Sequence, residues 1–167
     1  GRPLKFYFKM SKGEADHRVD ELLDTVELPS SFADRFPREL SGGERQRINL
    51  ARSLTAEPKL MICDEITSAL DTIVAEAILK LLRELQERLK IGYVFISHDL
   101  STISKVADTV AVMRDGKIVE YGSTVEVLTP PHHSYTELLL SSVPELRTDW
   151  LDAIGAQRAA ARTAAAG

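Results

Sequence analysis

A long amphipathic stretch between two short apolar runs constrains the fold of this 167-residue chain more than any other feature. Over residues 71–90, apolar side chains recur at helical spacing while charged side chains lie elsewhere, which predicts an amphipathic helix. The runs on either side, KLMIC (59–63) and YVFIS (93–97), are typical of strands buried on both faces. This order predicts a βαβ unit, in which a right-handed crossover joins two parallel strands, and therefore an α/β fold.

The remaining patterns predict shorter elements around this unit. They are a helix over 14–26, a loop with one helical turn over 28–40, a helix over 42–56, a hairpin over 109–122 and a helix over 133–143. The hairpin is indicated by Asp115-Gly116, a turn pair between two strand-like runs. The alanine-rich stretch over 151–167 receives no functional assignment.

The composition is ordinary for a soluble globular protein and gives no reason to expect a nucleic-acid partner. Hydrophobic residues make up 44% and charged residues 28% of the chain, and the net charge is −4. The single cysteine, Cys63, excludes an internal disulfide and favours a reducing compartment. No apolar run approaches the roughly 20 residues that span a bilayer, and no signal peptide is evident. The start at Gly1 is expected of a chain without its original beginning, and processing would give the same start.

Two carboxylates and a histidine directly follow the predicted strands. Because ligands sit outside the carboxyl ends of parallel strands, Asp64, Glu65 and His98 are expected at one edge of the sheet. An aspartate there can hold Mg²⁺ beside nucleotide phosphates, and the next carboxylate can accept a proton from an attacking water. The histidine can contact a γ-phosphate. Alternatively, the carboxylates begin a loop and cap the next helix, and the histidine is only hydrogen-bonded locally.

The glycine pair Gly42-Gly43 opens the predicted helix 42–56, although glycine is unfavourable inside helices. Ser41 and Glu44 fit a capping box at this helix start. A helix N-terminus binds anions through free N–H groups and its dipole, and glycine removes the Cβ atoms that would keep a phosphate away. The alternative is an ordinary glycine-containing loop before a capped helix.

Four short motifs resemble those of ABC-type ATPases, in the order that the family has. LSGGE (40–44) resembles the signature motif, and LMICDE (60–65) resembles the magnesium and catalytic-base strand. SALD (68–71) resembles the D-loop, and ISHD (96–99) resembles the segment with the switch histidine. The resemblance covers residues 14–147 and implies the C-terminal part of a P-loop NTPase-like ABC ATPase domain.

The resemblance implies a role for each matching residue. Glu65 would be the general base, Asp64 the carboxylate linked to Mg²⁺, and His98 the sensor of the γ-phosphate. A second ATPase domain would bind head to tail, with Asp71 at the interface. The residues assigned to the ATP held by that partner domain are Ser41, Gly42, Gly43 and Glu44.

The C-terminal part narrows the resemblance to importers of oligopeptides, dipeptides, nickel and opines. Residues 120–146 resemble the tail that these proteins share, with Ser134 in place of the proline in a His-Pro-Tyr-Thr run. A metal site at His132-His133 is the alternative interpretation of this histidine-rich turn.

Two features depart from the family pattern. Ile66 stands where the family usually has proline after the Asp-Glu pair, which alters a loop but removes no catalytic group. No GxxxxGK followed by Ser or Thr occurs, so the P-loop half of the domain is absent from this sequence. We therefore expect this chain alone to lack ATPase activity.

These observations predict three segments: a helical signature subdomain (1–56), the C-terminal part of the ATPase core (57–129) and an extension of the peptide-importer type (130–167). The complete protein would use ATP and Mg²⁺ to energise solute uptake from the cytoplasmic face of a membrane. Its partners would be a second ATPase domain, permease subunits and, indirectly, a solute-binding protein. The alternatives are a non-catalytic module that supplies a signature motif in trans, and a soluble ABC ATPase outside transport. The transported solute stays open among peptides, nickel and opines.

Overall fold

The computed structural model describes Leu4 and residues 8–141, which belong to two compact units. One unit ends at Ile96 and the other begins at Ser97. The first contains α1 (Lys12–Thr25), two short 3-10 turns (Ser30–Asp34 and Pro37–Glu39), α2 (Gly42–Leu54), β1 (Leu60–Asp64), α3 (Thr72–Leu89) and β2 (Gly92–Ile96). The second contains α4 (Leu100–Val106), β3 (Thr109–Arg114), β4 (Lys117–Ser123), α5 (Thr124–Leu128) and α6 (Ser134–Ser141).

The predicted βαβ unit is confirmed in the first compact unit. β1 and β2 pair in parallel, with Leu60 beside Gly92 at one end and Asp64 beside Ile96 at the other. The predicted stripe of α3 is buried at its centre, whereas Leu89 at its end is 44% exposed. The core joins one face of the sheet to the helices and includes Leu22, Val26, Leu50, Leu54, Met61, Cys63, Ile78, Leu81, Leu82 and Leu85.

The prediction that both strands are buried on both faces is wrong for the described residues. Met61 and Cys63 are buried, but Leu60 and Ile62 between them are 58% and 66% exposed. On β2, Val94 and Ile96 are likewise 44% and 49% exposed. An almost entirely apolar strand predicts that other elements pack against both faces of the sheet. Within the described part of the chain, helices pack against one face only. The sheet therefore carries an exposed apolar face.

Arginine side chains tie the helices of the first unit together. Arg47 of α2 donates to the carbonyl oxygen of Val26 (2.8 Å) and to the carboxylate of Glu27 (2.7 Å), just beyond the end of α1. Arg88, near the end of α3, donates to the carbonyl oxygen of Thr25 (3.4 Å). The last carbonyls of α1 thus receive the partners that a helix C-terminus lacks.

The second unit contains the predicted hairpin. β3 and β4 pair antiparallel around Asp115-Gly116, both with positive φ (50° and 74°), as a tight hairpin turn requires. Val110 and Val112 are buried on one face, and the pairing shifts by one residue between Val112 and Met113.

Two short helices, α4 and α5, were not predicted from the sequence. Each begins at a side-chain cap: Asp99 accepts from the amide of Ser101, and Ser123 accepts from the amide of Glu126. The predicted helix 133–143 corresponds to α6, and residues 142–167, including the alanine-rich stretch, lie outside the described residues. Among the described helices, none combines the length and hydropathy that a membrane span requires.

Candidate functional site

The two carboxylates lie at the abrupt end of β1. Asp64 is its last residue and is exposed, while Glu65 follows with a left-handed φ of 48°. The amide of Glu65 donates to the carbonyl oxygen of Ile96 (2.9 Å), and its own carbonyl accepts from the amide (3.2 Å) and hydroxyl (2.9 Å) of Ser68. A left-handed conformation is uncommon for a residue other than glycine and costs of order 1 kcal/mol or more. These three hydrogen bonds hold the backbone of Glu65 in that conformation.

Asp71, and not the Asp64-Glu65 pair, caps the helix that follows. The Oδ1 atom of Asp71 accepts from the amide of Val74 (3.0 Å) at the start of α3. The carboxylate pair begins the loop after β1, but the alternative that it caps the next helix is wrong. Asp71 itself, predicted to lie at a domain interface, has a structural role as this cap.

The predicted capping box of α2 is confirmed. The amide of Glu44 donates to Oγ of Ser41 (3.3 Å), and the amide of Ser41 donates to Oε2 of Glu44 (2.7 Å). The hydrogen bonds from the backbone and side chain of Ser41 lower the pKa of Glu44, so this carboxylate stays ionised near neutral pH. The first amides of a helix have no partner within the helix, which leaves the amides of Gly42 and Gly43 as candidate donors to an anion.

The structure adds a steric reason for the two glycines that the sequence did not reveal. A Cβ atom at Gly43 would lie 2.6 Å from Cγ1 of Val74, far inside van der Waals contact. One at Gly42 would lie 3.1 Å from Cδ2 of Leu70. Bare backbone is therefore required at Gly43, independently of any ligand, whereas at Gly42 a small shift of the Leu70 side chain would make room for a Cβ atom.

His98 belongs to the second unit, two residues after β2 ends, and is exposed. Its neighbours hold the turn: Ser97 Oγ accepts from the amide of Asp99 (3.0 Å), and Asp99 Oδ1 accepts from the amide (2.9 Å) and hydroxyl (2.7 Å) of Ser101. Partial burial raises the pKa of Asp99, but hydrogen bonds from Thr102 and Ser101 outweigh it and the pKa is lowered overall. The expected meeting of His98 with Asp64 and Glu65 at one sheet edge stays a prediction.

The donor set of the first unit suits Mg²⁺ only as part of a nucleotide complex. No group of three or more His, Cys, Asp or Glu side chains capable of holding a metal occurs among the described residues. Mg²⁺ in nucleotide sites commonly takes one or two carboxylates and completes its shell with water and phosphate oxygens. Asp64, exposed at the end of β1, fits that requirement.

The histidine-rich turn is used for local hydrogen bonds and packing. His132 Nδ1 lies 3.1 Å from the carbonyl oxygen of Val127, and His133 Nδ1 accepts from the amide of Tyr135 (3.2 Å). The amide of His133 donates to both carboxylate oxygens of Glu120 (3.3 Å each), and Arg114 lies 4.9 Å from the ring centre of Tyr135. The run that resembles the peptide-importer tail thus attaches α6 to the hairpin.

Two known protein families match this chain, one in its N-terminal part and one in its C-terminal part. The family described as "ABC transporter" matches residues 4–68, which contain the signature helix and the β1 carboxylates. The family described as "Oligopeptide/dipeptide transporter, C-terminal region" matches residues 119–167. The sequence resemblance is confirmed by these two matches.

Curated relatives are ATP-binding proteins of peptide transport. The oligopeptide transport protein AppF of Bacillus subtilis is 48% identical over 87% of this chain and 44% of its own length. OppF of Streptococcus mutans is 46% identical over 81% of this chain and 44% of its own length. The dipeptide transport protein DppF of Haemophilus influenzae is 43% identical over 86% of this chain and 44% of its own length. The chain thus spans less than half the length of each of these relatives.

Solved structures confirm the fold class. An inward-facing ABC transporter matches with a TM-score of 0.65 at 30% identity, over 72% of this chain and 47% of that one. The dimeric ATP-binding cassette MJ0796, bound to ADP and Pi in a post-hydrolysis state, matches with a TM-score of 0.59 at 32% identity. That match covers 69% of this chain and 49% of the cassette. The chain is therefore homologous to the ATP-binding proteins of ABC transporters, and its C-terminal region matches the oligopeptide/dipeptide transporter type.

Proposed function

We propose that the complete protein is the ATP-binding subunit of an importer, in which ATP hydrolysis drives uptake of peptides or similar small solutes. One observation supports this proposal most strongly. The same chain contains the carboxylates at the end of β1, the capped N-terminus of α2 with its two glycines, and a C-terminal region that matches peptide transporters. The names of the relatives, all peptide transport ATP-binding proteins, support the solute class. Nickel and opines remain alternatives within the same importer type.

Glu65 is the proposed general base for the attacking water. Its backbone is fixed by hydrogen bonds to Ile96 and Ser68, so the carboxylate starts from a defined point at the strand end. A positioned carboxylate contributes by taking a proton as water attacks phosphorus. Asp64 would hold Mg²⁺, which neutralises charge on the nucleotide phosphates. The donor chemistry at the end of β1 supports both assignments.

The N-terminal end of α2 is proposed to contact the γ-phosphate of an ATP molecule held by a second ATPase domain. Ser41, Gly42 and Gly43 would offer a hydroxyl and amides, while Glu44 keeps the helix end capped. The second domain would bind head to tail, with Asp71 at the shared interface. The matching cassette is dimeric, which supports a second ATPase domain as the partner.

His98 is the proposed sensor of the γ-phosphate. Its exposure and the hydrogen-bonded turn made by Ser97 and Asp99 are compatible with a fixed donor that solvent and ligand can reach. Permease subunits at the cytoplasmic face of the membrane, fed by a solute-binding protein, would complete the importer. In this proposal residues 1–56 form the signature subdomain, 57–129 part of the ATPase core, and 130–167 the importer-type extension.

The experiment that tests the catalytic assignment is Glu65→Gln in the full-length subunit assembled with its permease. We expect steady-state ATP turnover to fall by about 10²–10⁴-fold while ATP binding is kept, because only the proton acceptor is lost. Glu87→Gln, on the exposed side of α3, is the matched control and should turn over ATP at the wild-type rate. Turnover by Glu65→Gln within about threefold of this control would contradict the assignment.

The same assay separates an enzyme from a module that supplies its signature motif in trans. The 167-residue chain alone is expected to be inactive, because its sequence has no P-loop motif to hold the phosphates. When it is mixed with a full-length subunit, stimulation that requires Ser41 but not Glu65 would favour the trans module. Ser41→Ala serves here better than a change at Gly43, where any side chain meets Val74 of the same chain.

A further inference from the structure

We propose that Val74 is a positioning residue: its side chain sets the approach of the α2 N-terminus to α3 and so links the signature glycines to the Asp71 cap. This inference rests on the proposed function, because the signature end matters for turnover only if it contacts a phosphate. It differs from the proposed function in assigning a role to a residue outside the four family motifs.

The side chain of Val74 leaves no room for a side chain at Gly43. A Cβ atom on Gly43 would lie 2.6 Å from Cγ1 of Val74 but 3.9 Å from Cβ of Val74. The conflict therefore comes from the γ-methyl group alone, and an alanine at position 74 would leave ordinary van der Waals contact. Valine in a helix has one strongly preferred χ1 rotamer, so this methyl group cannot easily turn aside.

Val74 is itself held in place by the Asp71 cap of α3. Its amide donates to Oδ1 of Asp71 (3.0 Å), which caps α3 and holds Val74 at the third helical position. Leu70, directly before Asp71, makes a looser approach to Gly42, where a Cβ atom would lie 3.1 Å from its Cδ2. Leu70 of the D-loop segment is thus close to Gly42, and Val74 at the start of α3 is close to Gly43.

The contact between Val74 and Gly43 couples the movement of α3 to that of α2. The β-branched Val74 is held through its amide and Gly43 has no side chain that can move, so the contact between them is stiff. A shift of Asp71 would therefore carry the end of α2 with it. The two segments proposed to meet a partner domain, SALD and LSGGE, would move as one body. Catalytic geometry is sensitive to displacements of about 1 Å, so this contact has consequences for turnover.

The test is a cycle of four full-length subunits: wild type, Gly43→Ala, Val74→Ala and the double variant. Melting temperature without nucleotide and ATP turnover well below melting are measured for each. We expect Gly43→Ala to lower Tm by about 3 °C or more and to reduce kcat/KM roughly tenfold or more. The double variant should regain the Tm of Val74→Ala, because the clash is gone. Val74→Ala alone should reduce kcat/KM about threefold or more, because the end of α2 is no longer held in place.

Two single variants serve as controls for Tm. Gly13→Ala places a Cβ atom where nothing lies within 4 Å, so alanine should not lower Tm. Ile73→Ala removes an apolar side chain beside Val74 that is 81% exposed, and should leave Tm within about 1 °C. Together they separate a specific clash from a general effect of altering a glycine or a residue of α3.

The results for the Gly43 and Val74 variants can be told apart from a failure of the proposed ATPase function, which the Glu65→Gln assay tests separately. An unchanged Tm for Gly43→Ala, or effects that simply add in the double variant, would overturn the inference whatever the subunit hydrolyses. A wild-type kcat/KM for Val74→Ala would likewise overturn its positioning role, even if Tm recovers in the double variant. If Glu65→Gln turns over ATP normally while Val74→Ala lowers turnover and the double variant regains Tm, the base assignment falls and the positioning role stands.

Discussion

Ser41 shows how much one hydroxyl contributes to the proposed phosphate-facing end of α2. Its Oγ accepts from the amide of Glu44, and its own amide is held by the Glu44 carboxylate. Both interactions are local, so a capping box could be predicted from the spacing of serine and glutamate alone.

Replacement of Ser41 by alanine is expected to lower the free energy of unfolding by about 1 kcal/mol, because the amide of Glu44 loses its acceptor. Ser53→Ala is the matched control, since that hydroxyl bonds the carbonyl of Asn49 inside the same helix (3.1 Å) and its removal improves helix propensity. Thermal melts of the two variants measure the difference. Equal stability of both would show that the capping box contributes nothing.

Cys63 lies buried in the core beside β2, and burial raises the pKa of its thiol to about 11. The thiolate is the reactive form, so we expect alkylation of the folded chain at pH 8 to be about 10²-fold slower or more than in denaturant. Iodoacetamide modification followed by mass spectrometry measures both rates. Comparable rates would mean that β1 opens readily or that the thiol is not buried.

At the scale of single elements, α4 depends on one aspartate. Asp99 accepts three hydrogen bonds, from the amide and hydroxyl of Ser101 and from the hydroxyl of Thr102 (2.6 Å). Its pKa is lowered in the folded state, because these bonds outweigh the effect of burial. The stabilisation is therefore complete above the pKa of an unfolded aspartate and is lost as pH falls through the lower folded pKa.

Asp99→Asn is expected to cost about 1 kcal/mol at pH 7, because hydrogen bonds to a charged acceptor are stronger than those to a neutral one. The difference from wild type should shrink as pH falls below about 4, the pKa of an unfolded aspartate, and on through the lower folded pKa. Asp115→Asn provides the matched control, because it makes the same chemical change at an exposed turn where asparagine tolerates positive φ. Urea melts at pH 3 and pH 7 test both variants. A pH-independent difference for Asp99→Asn would contradict the role of its charge.

The elements that could be predicted are those specified by local signals. The long helix α3, the turn at Asp115-Gly116 and the capping box at Ser41 each follow from residues close together in the sequence. α4 escaped prediction because seven residues are too few to show a helical period. The contact between Gly43 and Val74 left no signal, since a glycine before a helix is equally compatible with an anion and with a close neighbour.

At the scale of each whole unit, burial is what the sequence predicts least well. Ile62 and Val94 are exposed, whereas Met61 and Cys63 are buried. All four residues belong to equally apolar runs of the sequence, so the runs do not indicate which side chains are buried. Composition shows that a strand requires cover on both faces but not which residues provide it. Parallel sheets are normally covered on both faces. The exposed apolar face should therefore promote self-association of the isolated 167-residue chain.

The double substitution Ile62→Thr and Val94→Thr is expected to reduce self-association of the isolated chain, while stability changes by no more than about 1 kcal/mol. Threonine keeps the β-branched shape that strands favour and removes apolar surface. Met61→Thr, on the buried face of the same strand, is the contrasting variant and should destabilise by about 2 kcal/mol or more. Light scattering and urea melts distinguish the two; unchanged association of the double variant would show that another surface is responsible.

The close approach of Gly43 to Val74 also restricts the order in which the two positions can change during evolution. Alanine at position 43 fits once position 74 carries alanine, because the remaining Cβ atoms would be 3.9 Å apart. Taken first, the change at position 43 passes through a clashing intermediate, whereas the reverse order does not. In any lineage that carries alanine at position 43, the valine should therefore have been replaced first, and reconstructed ancestral sequences should show the smaller residue at position 74 as the earlier event.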